Sequence, residues 1–251
     1  MGILSRLRGE QHPVLEAVGR ARGFRARVDD VLAMWRTVLD ADLHVATGGG
    51  VDQSGAPAIG RLAADDGSTV LAAFLDAGAA RRYFPEAHGE LSVRGADLCR
   101  EARANDDVAL AVFADGSEPV LEIEWTELSW LGSGLVPNHQ RSTGTHESLR
   151  DEDLVDACRY AVEELPASAG ATLIEGIAND DSARPTLMVD LEPGVPQAGW
   201  IAARNLVERR LAERGRSIPV VLSGDAIISD AENSKAAFLA YTSGDVEVHL
   251  R

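Results

Sequence analysis

Aromatic residues make up only 5% of this 251-residue chain, so aliphatic side chains must fill most of any core. Cysteine occurs twice. Cys99 and Cys158 stand far apart, each inside an apolar helical pattern, and are expected as buried free thiols; spacing alone decides nothing about a bridge between them. Lysine occurs once, at Lys235, which leaves arginine to carry nearly all positive charge. No apolar run approaches the roughly 20 residues of a membrane span, so integral membrane association is not expected.

Positive charge as a whole is scarce: 24 basic residues face 40 acidic ones, for a net charge of −16. Residues 1–131 carry 21 acids against 13 bases and residues 132–251 carry 19 against 11, so neither half is basic. Such a surface repels phosphate backbones, which excludes nucleic acid as a default partner. Only the first 28 residues run the other way. There Arg6, Arg8, Arg20, Arg22, Arg25 and Arg27 face Glu10 and Glu16 alone. Met1-Gly2-Ile3-Leu4 is too short for a secretory signal, and Arg6 occupies the place where a myristoylation pattern wants Ser or Thr. A frayed basic arm in a cytoplasmic protein is the expectation.

Catalytic and metal signatures are missing as well. Gly48-Gly49-Gly50 follows a strand, yet no helix opens after it and no Gly-Lys-Ser or GxGxxG accompanies it, so a flexible strand exit is expected. His139 and His146 share a polar stretch at no recognised ligand spacing, and His44 and His249 sit in expected strands. Ser223-Gly224-Asp225 has Val221 where a nucleophile elbow needs glycine, which leaves a plain turn. Asp151-Glu152-Asp153 suits a helix start, and Asp180-Asp181 suits a turn. No catalytic residue, cofactor site or metal site is expected.

The patterning is more informative. Val28, Val31, Leu32, Trp35, Val38 and Leu39 recur at helical spacing over 28–39. A strand at 43–47, a loop or hairpin through Asp65-Asp66-Gly67, a strand at 69–74, a helix over about 77–84, a strand near 90–94 and a helix at 95–104 follow. The runs 108–113 and 118–125 read as a hairpin turned at Asp115-Gly116. Element order then begins again: a helix carrying Leu154, Cys158, Ala161, Val162 and Leu165, a hairpin of 172–174 with 186–189, and a long helix over 197–214. Strands at 219–222, 236–241 and 246–250 close the chain. In the long helix Trp200, Ala203, Val207 and Leu211 form the buried stripe, while Arg204, Glu208, Arg209, Arg210, Glu213 and Arg214 are expected in solvent.

These elements predict an α/β (α+β) protein of two similar-sized domains, each a mixed or antiparallel sheet packed with helices. The expected divisions are a basic arm over 1–27, one domain over 28–131, a Gly-, Ser- and Thr-rich linker over 132–147, and a second domain over 148–251.

The first domain resembles the N-terminal domain of the SseB family, named for enhanced serine sensitivity in bacteria. The resemblance rests on Ala72-Ala73-Phe74, the helix ending at Phe84, Leu91-Ser92-Val93-Arg94-Gly95-Ala96-Asp97-Leu98, and the run Val108 to Phe113. Residues 148–250 are similar to that family's C-terminal domain through Thr172 to Ile174, Thr186 to Val189 and the helix with Trp200. Leu75-Asp76 stands where the family tends to have Thr-Ser, and Ala114-Asp115 where it often has Asn-Pro. The resemblance implies a cytosolic bacterial protein that binds another protein or regulates it, and it transfers no catalytic residue. Asp76, Arg81, Arg82 and Tyr83 are the expected contacts for an unknown protein partner, since Arg beside an aromatic is a common contact composition. Two further readings are a sensor that binds a polar metabolite between the domains and an unrecognised hydrolase.

Overall fold

The computed structural model describes residues 12–24, 26–51, 57–63, 67–115, 118–137, 151–165, 169–191 and 194–223, with the backbone of 248–249. They divide into two compact units. The first takes the described residues of Met1–Ala102 and Ala109–Ile123, and the second those of Arg103–Val108 and Glu124–Arg251.

The first unit begins with α1 (Pro13–Ala21), capped by His12, whose Nδ1 accepts a bond from Val14 N at 3.3 Å. Val14, Ala17 and Val18 are buried, and α1 packs on α2 (Val28–Asp40). Residues 13–21 of the expected frayed arm are therefore a packed helix. The apolar stripe at i, i+3 and i+4 lies among the arginines that suggested an arm. Arg6, Arg8 and Arg25 lie outside the described residues.

A seven-stranded mixed sheet follows, built from β1 (Asp42–Val51), β2 (Pro57–Ile59), β3 (Arg61–Ala63), β4 (Thr69–Phe74), β5 (Gly89–Arg94), β6 (Ala109–Phe113) and β7 (Leu121–Glu124). The order is β2-β1-β4-β6-β7, with β5 paired to β1 and β3 to β4. β4 and β6 run parallel, which suits two strands whose residues are mostly buried. Gly48-Gly49-Gly50 is no strand exit, because β1 continues through it and pairs with β2 across an irregular register between Thr47 and Val51. Glycine gives the backbone the freedom such a bulge requires. At Gly49 an added Cβ would come within 2.8 Å of His88 Nε2. Asp65, Asp66 and Gly116 lie outside the described residues.

Register sets up the face that matters. Phe74 on β4 stands opposite His44 on β1 and Phe113 on β6, so the three side chains share one row of one face. α3 (Ala77–Tyr83) covers that row through Ala79, Ala80, Tyr83 and the following Phe84. The rings of Phe74, Tyr83 and Phe113 lie 5.0–5.5 Å apart centre to centre. Each such pair adds about 0.5–1.5 kcal/mol beyond its buried area. α4 (Gly95–Ala104) leaves β5 directly, and an added Cβ at Gly95 would overlap the Val38 carbonyl.

The second unit holds α5 (Trp125–Leu131), α6 (Glu152–Val162), β8 (Gly170–Ile177), β9 (Ala183–Asp190), α7 (Gln197–Glu213), β10 (Val220–Ser223) and β11 (Val248–His249). Its sheet, in the order β10-β9-β8-β11, is also mixed. β8 and β9 form the expected antiparallel hairpin, and β9 and β10 are parallel, with α7 as the crossover between them. Leu154, Cys158, Leu173, Leu187, Trp200, Val207 and Leu222 belong to the core on one side. Trp130, Leu135, Ile174, Met188 and Val221 cluster on the other. Both sheets with their helices give the α+β class.

Several details depart from the sequence reading. Trp125 opens α5 rather than ending a strand; Trp130 Nε1 donates to Leu222 O at 3.2 Å, and Leu222 N donates to Ser129 Oγ at 3.0 Å. Residues 132–137 of the expected linker are packed: Leu135 is fully buried and bridges Ala178, and Val136 N donates to Ile177 O at 2.8 Å. Residues 138–147, with His139 and His146, lie outside the described residues, as does the expected strand 236–241. Arg204 and Arg210 are buried, not solvated. Arg204 Nη2 bonds Asp106 Oδ1 at 2.7 Å, while Arg210 pairs with Glu163 and Glu164 and lies over the Tyr160 ring. Long aliphatic stems let both charges sit beside the apolar stripe once carboxylates meet them.

Candidate functional site

The four expected contact residues surround α3 in the first unit. Asp76 is its N-cap, with Oδ2 accepting from Ala79 N at 2.9 Å, which meets a backbone donor that the first turn leaves open. Arg82 Nη2 stands 3.8 Å from the same carboxylate, an exposed and loose pair. Arg81 is 78% exposed and sets its Nε 3.4 Å from Glu90 Oε2. Tyr83 does not reach outward; its ring is part of the aromatic cluster with Phe74 and Phe113. Helical geometry explains the split, since Ala79, Ala80 and Tyr83 face the sheet and Arg81 and Arg82 turn away.

Sequence reasoning missed His44 and Glu90. Ala46 on β1 pairs with Glu90 on β5, and His44 pairs with Ser92, so Glu90 is the diagonal neighbour of His44 on the face under α3. Glu90 Oε1 lies 2.8 Å from His44 Nδ1, and the two side chains are only 10% and 26% exposed. The contact is within ion-pair range without an aligned hydrogen bond, and Glu90 Oε2 is likewise buried without one. His12 feels this cluster: its pKa is lowered, first by burial and then by the charge of His44. Polar residues at the inward positions of two strands were the signal available in the sequence.

β5 forms the rim of this site. Among the described residues it pairs with β1 alone. Gly95 N donates to Ala41 O at 2.9 Å in the register of the β1–β5 pair, so the hydrogen-bonded positions of β5 are 89, 91 and 93. Glu90 and Ser92 therefore direct their backbone N–H and C=O away from β1, and Arg94 directs its N–H the same way while its C=O begins the hydrogen bonding of α4. Leu91, one of the large apolar residues left exposed, is on the same strand at 40% exposure. Arg94 is 61% exposed and 3.5 Å from Asp40.

The remaining chemical candidates have structural roles. Cys99 and Cys158 are buried and free, with burial pushing each thiol up to about 12, far from reactive thiolate character. Ser223 Oγ donates to Asp190 Oδ1 at 2.8 Å; Gly224 and Asp225 lie outside the described residues, as does the His249 side chain. Asp151 caps α6 through Leu154 N, and Asp180 turns the β8–β9 hairpin by accepting from Ser182 N. Among the described residues no group of three or more His, Cys, Asp or Glu is placed to hold a metal, and no helix is long and apolar enough to cross a membrane. No family model, curated protein or solved structure matches the chain.

Proposed function

We propose that the chain is a non-enzymatic interaction protein of the SseB type, which docks an extended segment of a protein partner along β5. The carrying observation is the row of backbone donors at Glu90, Ser92 and Arg94, with acceptors at Glu90 and Ser92, that β1 leaves unpaired. An extended peptide adds to such an edge by main-chain hydrogen bonds, while side chains beside the edge select the sequence. Arg81 and Arg94, both largely exposed, flank the strand in a chain of net charge −16. Each stands beside one carboxylate, Glu90 or Asp40, yet both guanidiniums are largely in solvent and can meet Asp or Glu of an incoming segment. A second copy of the acidic chain offers such residues with more overall repulsion. Charged residues on an edge also discourage unwanted strand pairing, which is how an edge stays open in a soluble chain.

The test is affinity capture from extracts of the native host with the full chain and with Ser92→Pro. Proline removes one outward N–H and leaves the hydrogen bonds to β1 intact, so fold and edge are separated. A stoichiometric partner retained by the wild type and lost by Ser92→Pro is expected. Equal retention by both chains contradicts the reading.

A further inference from the structure

We propose that the second unit carries a binding site for a small monocarboxylate with a short apolar body, gripped by Arg103 and Arg216. The two arginines line an open cavity of about 420 Å³, with Leu211, Ile218 and Pro219 as an apolar wall and Glu208 beside them. That volume lies within the roughly 300–1,000 Å³ usual for small-molecule sites.

Arg103 is only partly satisfied where it stands. Its side chain is 18% exposed, and among the described residues its Nη2 makes all its contacts, to Glu208 and to Val220 O at 3.2 Å. Its Nε is buried with no acceptor, and Nη1 engages none of the described residues. Nη1 therefore remains to the guanidinium as a donor for a carboxylate in the cavity, while the buried Nε is out of its reach. Arg216 is 35% exposed and lies 3.6 Å from Asp151 and 3.9 Å from Asp153, too far for strong hydrogen bonds to either. These two loose pairs are what a stronger, charge-assisted bond to an incoming carboxylate would replace. Positive charge is also crowded behind this wall: the Arg204 guanidinium is shifted down by burial first and then by the charge of Arg103. A bound anion relieves that repulsion. Glu208 sets the selectivity, because a dianion would bring its second charge against a carboxylate already in place. The apolar wall accommodates a short branched chain rather than a bare ion.

The test uses the purified full chain titrated calorimetrically with isovalerate, with isovaleramide and inorganic phosphate as controls. Saturable isovalerate binding at millimolar concentrations is expected, with neither control binding. Arg216→Gln, a partly exposed substitution that leaves Arg103 and Glu208 in place, should weaken isovalerate by roughly tenfold or more. Arg103→Gln should abolish binding; circular dichroism tells that loss from a loss of fold. Isovalerate that does not saturate, isovaleramide or phosphate that binds equally well, or an affinity unchanged in Arg216→Gln overturns the proposal.

Discussion

Glu90 Oε1 lies 2.8 Å from His44 Nδ1 beneath α3, a carboxylate and an imidazole brought together across two strands and mostly shielded from water. Their burial decides what each neighbour contributes. His44→Ala strips the carboxylate of its nearest partner and should lower unfolding stability by about 1–2 kcal/mol. Arg81, 78% exposed, acts on the same carboxylate through solvent, so Arg81→Ala should cost less than about 0.5 kcal/mol. Urea denaturation of the two variants beside the wild type measures the contrast.

The nearby His12 makes stability depend on pH. Its folded pKa is lowered from the ordinary 6.5 by burial and by His44, so the unfolded chain binds more protons just below that value. Stability contributed by neutral His12 is therefore present above 6.5 and is lost as pH falls from there through the lowered folded value. Protonation also removes the Nδ1 acceptor that caps α1. His12→Asn keeps a capping acceptor without titrating, and its stability should fall less than the wild type's between neutral and mildly acid pH. Thermal melts across that range check the difference.

Two glycines should respond in opposite directions to alanine. Gly95 has the Val38 carbonyl where a Cβ would go, and that backbone has no slack, so Gly95→Ala should destabilise by about 3 kcal/mol or more. Gly19 lies in α1 with nothing within 4 Å of an added Cβ, so Gly19→Ala should stabilise by about 0.5–1 kcal/mol. Melting temperatures that shift the same way would refute this packing around Val38.

Arg204 is 6% exposed while its partner Asp106 is 45% exposed, so water shares the carboxylate but not the guanidinium. Arg204→Met removes the buried charge, keeps most of the stem's volume and leaves Asp106 with Asn205 Nδ2 at 3.2 Å. The cost should be about 1 kcal/mol, because replacing a buried charge with an apolar side chain of similar volume is close to neutral. Asp106→Ala leaves the buried guanidinium with Asn205 Oδ1, Arg103 O and the charge of Glu208, and sets alanine at a φ of 56°, so it should cost about 2 kcal/mol or more. Urea midpoints order the two variants.

The sequence made periodic elements legible and left tertiary partnerships out of sight. α2, β4, α3, α4 and the β8–β9 hairpin were readable because each shows its own apolar period or turn residues. α1 was hidden by the arginines around it, Arg20 on its wet face and Arg22, Arg25 and Arg27 following it in sequence. α5 was hidden by the alternation of Leu121, Ile123 and Trp125, which matches a strand until Trp125 begins a helix. Arg204 and Arg210 could not be placed without knowing that Asp106 and Glu163 come from other elements to meet them. Of the site, Asp76, Arg81 and Arg82 were visible as exposed residues of one short helix. His44 and Glu90 were not, since their meeting depends on the register of β1 with β5, which no local pattern states.

Hydrogen exchange at single-residue resolution, on the chain alone and with its captured partner, tests the edge-docking claim most directly. In the free chain the amides of Glu90, Ser92 and Arg94 should exchange faster than those of Leu91 and Val93, which bond to β1. On binding, the first three should slow and the other two change little. Unchanged exchange at Glu90, Ser92 and Arg94, with new protection elsewhere, would contradict docking on β5.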